Sequence, residues 1–298
     1  MQIRIVTVGV AAITALALTG CVNNDIGSNT AKSSGATASV DPAAVTLLPE
    51  KIRDSGELVI GTDPTYPPNE YKDNDGNPIG WDIELANSIA GKLGLSPKYA
   101  ISSFDKIIPN LKGGSYDIGV SSFIDSEERE KSVDFVNYYV SRDQWAQPLG
   151  KSVDPANACG LTVSVQATTY EETTDLPARS RKCTDAGKPA ITILKFEKQD
   201  DAATALATGR ADAMTADISV TQFAVKNLKD KIEFAGAPFA VSLFGIAVKK
   251  GQTGLREAIK AALESMLADG SYTKILQKWK VAGGAVKTIT INNHDAAG

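Results

Sequence analysis

From Leu47 onward, short β-like runs alternate with helical patterns, and that alternation constrains the fold more than any other feature of the chain. Parallel strands need long crossovers, usually helices, so the alternation argues for βα units and mostly parallel sheets. The fold class is α/β. The spacings predict strands over 58–62, 116–121, 161–165, 191–194 and 244–248. They predict helices over 83–93, with Asp82 as N-cap and Gly94 past the end, over 201–207, closed by Gly209, and over 255–267, ended by Gly270, after which Ser271 caps a last helix. Leu111-x-x-Gly114-x-x-Asp117 and Leu206-x-x-Gly209-x-x-Asp212 share one spacing: helix end, glycine, then a strand opened by aspartate. With 298 residues the chain can hold two lobes, and each then carries one copy of this unit. Downstream of the two aspartates, at equal distance, stand Ser122 and Asp217, both at the carboxyl end of a strand. Open α/β sheets bind ligands there, so two lobes facing one another place these residues on opposing walls.

The N-terminus reads as a leader. Arg4 precedes an apolar run over 5–18, shorter than the ~20 residues that span a bilayer, so 1–20 is expected to be a signal peptide. Leu18-Thr19-Gly20-Cys21 resembles a bacterial lipobox, which implies lipidation of Cys21 and anchoring at the outer face of the cytoplasmic membrane. Residues 21–46, small and polar, are expected to be a flexible tether. In an oxidising exterior compartment the isolated pair Cys159 and Cys183 usually forms a disulfide, two separately buried thiols being the alternative. A net charge of −4 gives no electrostatic case for nucleic acid, whose binders are strongly basic. The one histidine, His294, falls in a polar C-terminal tail, 288–298, which removes histidine-based catalysis and most zinc sites. No metal and no cofactor are expected. Gly150-Lys151-Ser152 ends like a phosphate loop, but Trp145 stands where that loop needs its first glycine. There is no Gly-x-Ser-x-Gly elbow and no Cys-x-x-Cys, although carboxylates alone still permit proton transfer.

Several residues could bind a ligand. Arg129 sits in the first turn of a predicted helix, with Asp125 and Glu128 spaced as a capping box, and helix amides together with a guanidinium suit a carboxylate. The alternative is a solvated face beside Glu127, Glu128 and Glu130. Asp217 is the natural counterpart for an ammonium group, or else the N-cap of a helix starting at Ile218. Tyr66, in Asp63-Pro64-Thr65-Tyr66-Pro67-Pro68, has its backbone restricted by prolines and makes a wall for a small ligand, or a packed loop tyrosine. Phe104, before an Asp105-capped helix, is the opposing wall or core. The segment from Gln166 to Thr169 offers hydroxyls and amides, or a plain N-cap.

Taken together, Leu58-Val59-Ile60-Gly61-Thr62-Asp63-Pro64-Thr65-Tyr66-Pro67-Pro68, Gly80-Trp81-Asp82-Ile83-Glu84-Leu85-Ala86, Ser121-Ser122 with Glu127-Glu128-Arg129, and Asp269-Gly270-Ser271-Tyr272 through Lys278-Trp279 closely resemble the family 3 extracellular solute-binding proteins, the amino-acid receptors of ABC importers. The resemblance runs from about 48 to 283. It implies a bilobed periplasmic-binding-protein-like fold, two α/β lobes joined by two hinge strands, with 47–141 plus 238–287 as lobe 1 and 142–237 as lobe 2. It also implies that Arg129, with Ser122 beside it, binds a carboxylate, that Asp217 binds an ammonium, that Tyr66 and Phe104 form the aromatic wall, and that Thr168 and Thr169 supply the second-lobe carboxylate contact. Ile124 departs from the family's usual threonine or serine, removing one side-chain contact, and Ala167 from its common glycine. Asp63, Asn69, Glu70 and Trp145 are expected at the outer pocket, where two carboxylates suggest a polar or cationic side chain. The implied partners are an amino-acid ligand, an ABC permease and a lipid anchor, with the protein acting as a monomer. The expected function is ligand capture by hinge closure, without catalysis. The alternatives are an exported cyclohexadienyl-type dehydratase on the same fold, using Asp63 or Glu70 for proton transfer, and a ligand-sensing receptor subunit.

Overall fold

The computed structural model describes Gln2 and residues 39–294. The chain divides into Met1–Ala36 and Thr37–Gly298, and the second unit holds the folded body. Apart from Gln2, the expected signal peptide, Cys21 and the tether up to residue 38 lie outside the described residues.

Nine strands build one sheet: β1 (Glu57–Thr62), β2 (Ser96–Ile101), β3 (Ile118–Gly119), β4 (Val133–Pro148), β5 (Thr162–Gln166), β6 (Thr192–Phe196), β7 (Ala213–Asp217), β8 (Ile232–Lys249) and β9 (Ala285–Ile291). Their order is β2-β1-β3-β8-β4-β7-β5-β6, with β9 pairing β4. Two parallel blocks, β2-β1-β3 and β7-β5-β6, flank a central antiparallel ribbon of β8 and β4. The sheet is thus parallel in its blocks and antiparallel where they join, through β3 to β8 and β7 to β4. Each block has its own apolar core. One gathers Leu58, Ile60, Trp81, Tyr138, Phe244, Leu263 and Tyr272, the other Trp145, Val163, Val165, Leu176 and Ala213. Full burial of such aliphatic and aromatic side chains is worth roughly 1.5–3 kcal/mol each. The register of β8 against β4 slips between Ala235 and Phe239 and again before Val241, where Gly236 and Ala240 take positive φ of 64° and 46°.

Several element ends differ from expectation. The helix Trp81–Lys92 is capped by Gly80, not Asp82. Gly80 lies at φ 132°, and a Cβ there would meet the Asn69 carbonyl oxygen at 2.0 Å, so this turn demands glycine. The shift places Asp82 inside the first helical turn, fully buried. Gly270, not Ser271, caps the helix Ser271–Lys278. Residues 42–46, the end of the expected tether, instead form a short helix, because the Asp41 carboxylate accepts from the amides of Ala43 and Ala44 and Ala44 is buried. The expected C-terminal tail is, through residue 294, part of the body: β9 pairs with β4, and Asn292 exchanges hydrogen bonds with the Phe135 backbone. Cys159 and Cys183 are disulfide-bonded, Cα atoms 5.5 Å apart.

Candidate functional site

The carboxyl ends of β1, β3, β5 and β7 open onto one cleft. Asp63, Tyr66, Glu70, Phe104, Ser121, Ser122, Ile124 and Arg129 line one side, and Gln166, Thr169, Tyr170, Glu171 and Asp217 the other. The side chains that line the cleft leave only a narrow space between them. Ser122 and Asp217, the two residues that the internal echo singles out, both line this cleft.

At one end Arg129 reaches across the cleft. Its guanidinium donates to the Ile124 carbonyl and to the Thr168 carbonyl, both at 2.9 Å. It lies 5.5 Å from the centre of the Phe104 ring and 5.6 Å from that of Phe123, within cation–π range. Burial lowers its pKa to about 10, against the raising influence of Glu171 and Asp217, so it remains charged at neutral pH. Its helix, Glu127–Glu130, is capped by Ser126 rather than by an Asp125–Glu128 box. Asp125 turns inward instead, accepting from Asn137.

Asp217, facing Arg129 across the site, does not cap its helix with its side chain. Its Oδ2 accepts from the Tyr66 hydroxyl at 2.8 Å, and its Oδ1 from the Ser141 hydroxyl. Burial, then the neighbouring Glu171, pushes the carboxyl well above the usual range. Burial and the Asp217 charge likewise raise the Tyr66 phenol. Glu171 is buried, its pKa raised chiefly by that burial, and its Oε1 has no hydrogen-bond partner among the described residues. Thr169 lines the wall with its hydroxyl donating to the Gln166 carbonyl.

At the other end two acids converge. Asp63 Oδ2 accepts from the Phe104 amide at 3.1 Å and, across the cleft, from Gln166 Nε2 at 3.0 Å. Desolvation raises the Asp63 carboxyl to about 6. Glu70 is fully buried, 3.2 Å from the Ser121 hydroxyl and 3.0 Å from that of Ser122. Burial, reinforced by Asp82, pushes it well above the usual range. Asp82 takes the Ser122 amide at 3.0 Å and the Tyr138 hydroxyl at 2.6 Å, fixing Ser122 in its left-handed conformation, φ 50°.

Of the residues expected at the site, Arg129, Asp217, Tyr66, Phe104, Ser122, Thr169 and Asp63 line the cleft. Thr168 does not: its side chain lies outside the lining, and it contributes only its carbonyl. Trp145 belongs to the second apolar core, fully buried beneath the Arg179 guanidinium rather than at an outer pocket. Asn69 supports the cleft from behind, its amide donating to Ser122 and its Oδ1 accepting from Trp81. Sequence reasoning missed Glu171 and the bracing role of Asp82. Only the acidic pair Glu171-Glu172 after the Thr168-Thr169 turn hints at the former.

Residues 58–282 match the bacterial extracellular solute-binding proteins, family 3. The chain belongs to this family. The solute-binding protein is 38% identical over 288 residues to the arginine-binding protein ArgT of Corynebacterium glutamicum, covering 96% of this chain and 94% of that one. It is 30% identical over 247 residues to the histidine-binding periplasmic protein of Salmonella typhimurium, covering 80% and 90%. Its fold is similar to that of an ancestral arginine-binding protein bound to arginine, with a TM-score of 0.70 and 35% identity over 75% of this chain and 98% of that one. It is also similar to the ancestral amino acid-binding protein AncCDT-1, a precursor of cyclohexadienyl dehydratase, with a TM-score of 0.67 and 30% identity over 78% and 99%. The bilobed binding-protein fold expected from the sequence is thereby established.

Proposed function

We propose that this solute-binding protein captures a cationic amino acid, arginine foremost, by hinge closure and delivers it to an ABC permease. One observation carries the reading: the cleft presents four acidic side chains, Asp63, Glu70, Glu171 and Asp217, against a single guanidinium, Arg129. An amino acid with an uncharged side chain brings one positive and one negative group. A cationic one adds the charge that the Asp63–Glu70 end lacks. In this reading Arg129, with Ser122 beside it, takes the α-carboxylate with Thr169 opposite, Asp217 takes the α-ammonium, and Tyr66 and Phe104 clamp the side chain. Two of the relatives, ArgT and the ancestral protein, are arginine-binding proteins, which favours the same ligand class.

Lobe 1 is 42–141 plus 238–294, the helix at 42–46 and β9 included, and lobe 2 is 142–237, with the hinge where the register of β8 slips against β4. Closure brings Asp217 and Thr169 onto a ligand first held by Arg129. Cys21 anchors the mature monomer to the outer face of the membrane. The protein binds without turnover, so bound ligand is recovered chemically unaltered; conversion of a cyclic acid would instead favour the dehydratase reading.

Calorimetry against arginine, lysine, citrulline, glutamine and histidine tests the assignment. Arginine is expected to bind best and citrulline at least tenfold weaker. Equal or tighter citrulline binding overturns the cationic assignment, and silence toward every amino acid overturns capture itself. Arg129→Ala removes one charge of a desolvated pair, which costs on the order of 3–5 kcal/mol, more than a hundredfold in affinity. The melting temperature without ligand should stay nearly unchanged, and retained affinity would sink the carboxylate role.

A further inference from the structure

Beside the cleft, the fold brings together three donors that are far apart in sequence. Asp125 follows Ile124, Glu130 follows Arg129, and His294 lies just beyond β9. One donor atom from each lies within 4.8 Å of the others. His294 Nδ1 is 2.7 Å from Glu130 Oε1. Asp125 is only 4% exposed, and its two oxygens are treated differently. Oδ2 accepts from Asn137 Nδ2 at 2.8 Å and from the Asn293 amide at 3.0 Å. Oδ1 is buried with no hydrogen-bond partner among the described residues. A buried carboxylate oxygen lacking a donor is expensive, and native proteins rarely leave one so.

We propose that Asp125, Glu130 and His294 bind a divalent transition-metal ion of the zinc type. The donor set is one imidazole nitrogen and two carboxylates, which suits borderline ions and leaves a fourth position for water. Charge balance points the same way, since two carboxylates and a neutral imidazole are neutralised by one dication. The supporting groups are in place as well. Asn137 and the Asn293 amide fix Oδ2, so Oδ1 is the oxygen left to ligate. The Thr290 hydroxyl, 3.1 Å from Asn137 Oδ1, orients that amide in turn. Such outer contacts hold metal ligands in geometry. An ion here ties the segment after β9 to the loop carrying Ile124 and Arg129.

Zinc titration of the metal-stripped full-length protein, followed by calorimetry and thermal melting, tests the site, with cobalt as a visible probe of coordination. The expected result is one zinc per chain, a higher melting temperature, and cobalt ligand-field bands. Affinity should fall at least tenfold in both His294→Ala and Asp125→Asn. His294→Ala lies outside both cores, so circular dichroism should show it folded. Should Asp125→Asn fail to fold, Glu130→Gln replaces it. No stoichiometric zinc binding overturns the proposal. Undiminished binding in His294→Ala also overturns it, because the ion then sits elsewhere, as on Cys21. Neither result depends on which amino acid the cleft holds.

Discussion

Glu70 is wholly enclosed, and burial together with Asp82 holds its carboxyl well above the usual range, so its protonated form is favoured when no cation faces it. Asp63 beside it titrates near 6 for the same primary reason, desolvation. A guanidinium placed against both favours their ionised forms. Arginine binding near pH 6 should therefore release protons, read as a calorimetric enthalpy that varies with the ionisation enthalpy of the buffer. Affinity should rise with pH, roughly tenfold between pH 5 and 7 from Asp63 alone. The unliganded protein runs the other way. A carboxyl raised on folding contributes stability that is complete below about 4 and lost as pH rises through about 6, so the melting temperature without ligand should fall over that window. Affinity indifferent to pH would show that no cationic group reaches these acids. Arg129, Asp217 and Tyr66 were legible in the sequence because each stands just beyond a strand end or among prolines. Glu70 and Glu171 were less so, since whether a carboxylate turns inward depends on how distant segments fold over it. Trp145 was misplaced for the same reason, as the strand that carries it into the second core was not visible.

Gly80 shows how much one turn decides at the scale of an element. The helix Trp81–Lys92 can start there only because Gly80 has no Cβ, which would lie 2.0 Å from the Asn69 carbonyl oxygen. That start delivers Trp81 to Asn69 and Asp82 to Ser122. Gly80→Ala combines backbone strain with a collision against main chain that cannot give way, and should destabilise by about 3 kcal/mol or more. Chemical denaturation measures it; a loss under 1 kcal/mol would mean the turn can rearrange. The parallel blocks were readable from their helix–glycine–strand rhythm. The central ribbon was not, because β4 is buried at nearly every position and shows no alternation, and only 244–248 of β8 carried a strand signal. The order after residue 287 was legible in the β-branched alternation Thr288-Ile289-Thr290-Ile291, which sends Ile289 into the first core, but the polar residues that follow it masked the signal.

Among the described residues, hydrogen bonds cross the cleft at four pairs: Tyr66 with Asp217, Gln166 with Asp63, Arg129 with Thr168, and Ser219 with Asn69. Opening the proposed hinge breaks all of them. The first three involve groups at the ligand site, but neither Ser219 nor Asn69 lines it. Ser219 Oγ lies 2.9 Å from Asn69 Oδ1, and both residues are buried, so this contact belongs to the closed arrangement rather than to any ligand. Ser219→Ala removes the donor while Asn69 Oδ1 keeps its bond from Trp81, leaving no orphaned acceptor. The closed state then loses about 1 kcal/mol. Apparent affinity is the intrinsic affinity scaled by the closed fraction, so wherever closure is incomplete in the free protein, Kd should rise by roughly fivefold at most. The rise should be the same for arginine, lysine and citrulline, because the latch does not see the side chain. Glu70→Gln is the contrasting case: it alters charge inside the cleft and should weaken arginine far more than citrulline. Titrations of both variants with all three ligands separate closure from recognition, and a ligand-dependent effect of Ser219→Ala would assign Ser219 to the site rather than to the latch.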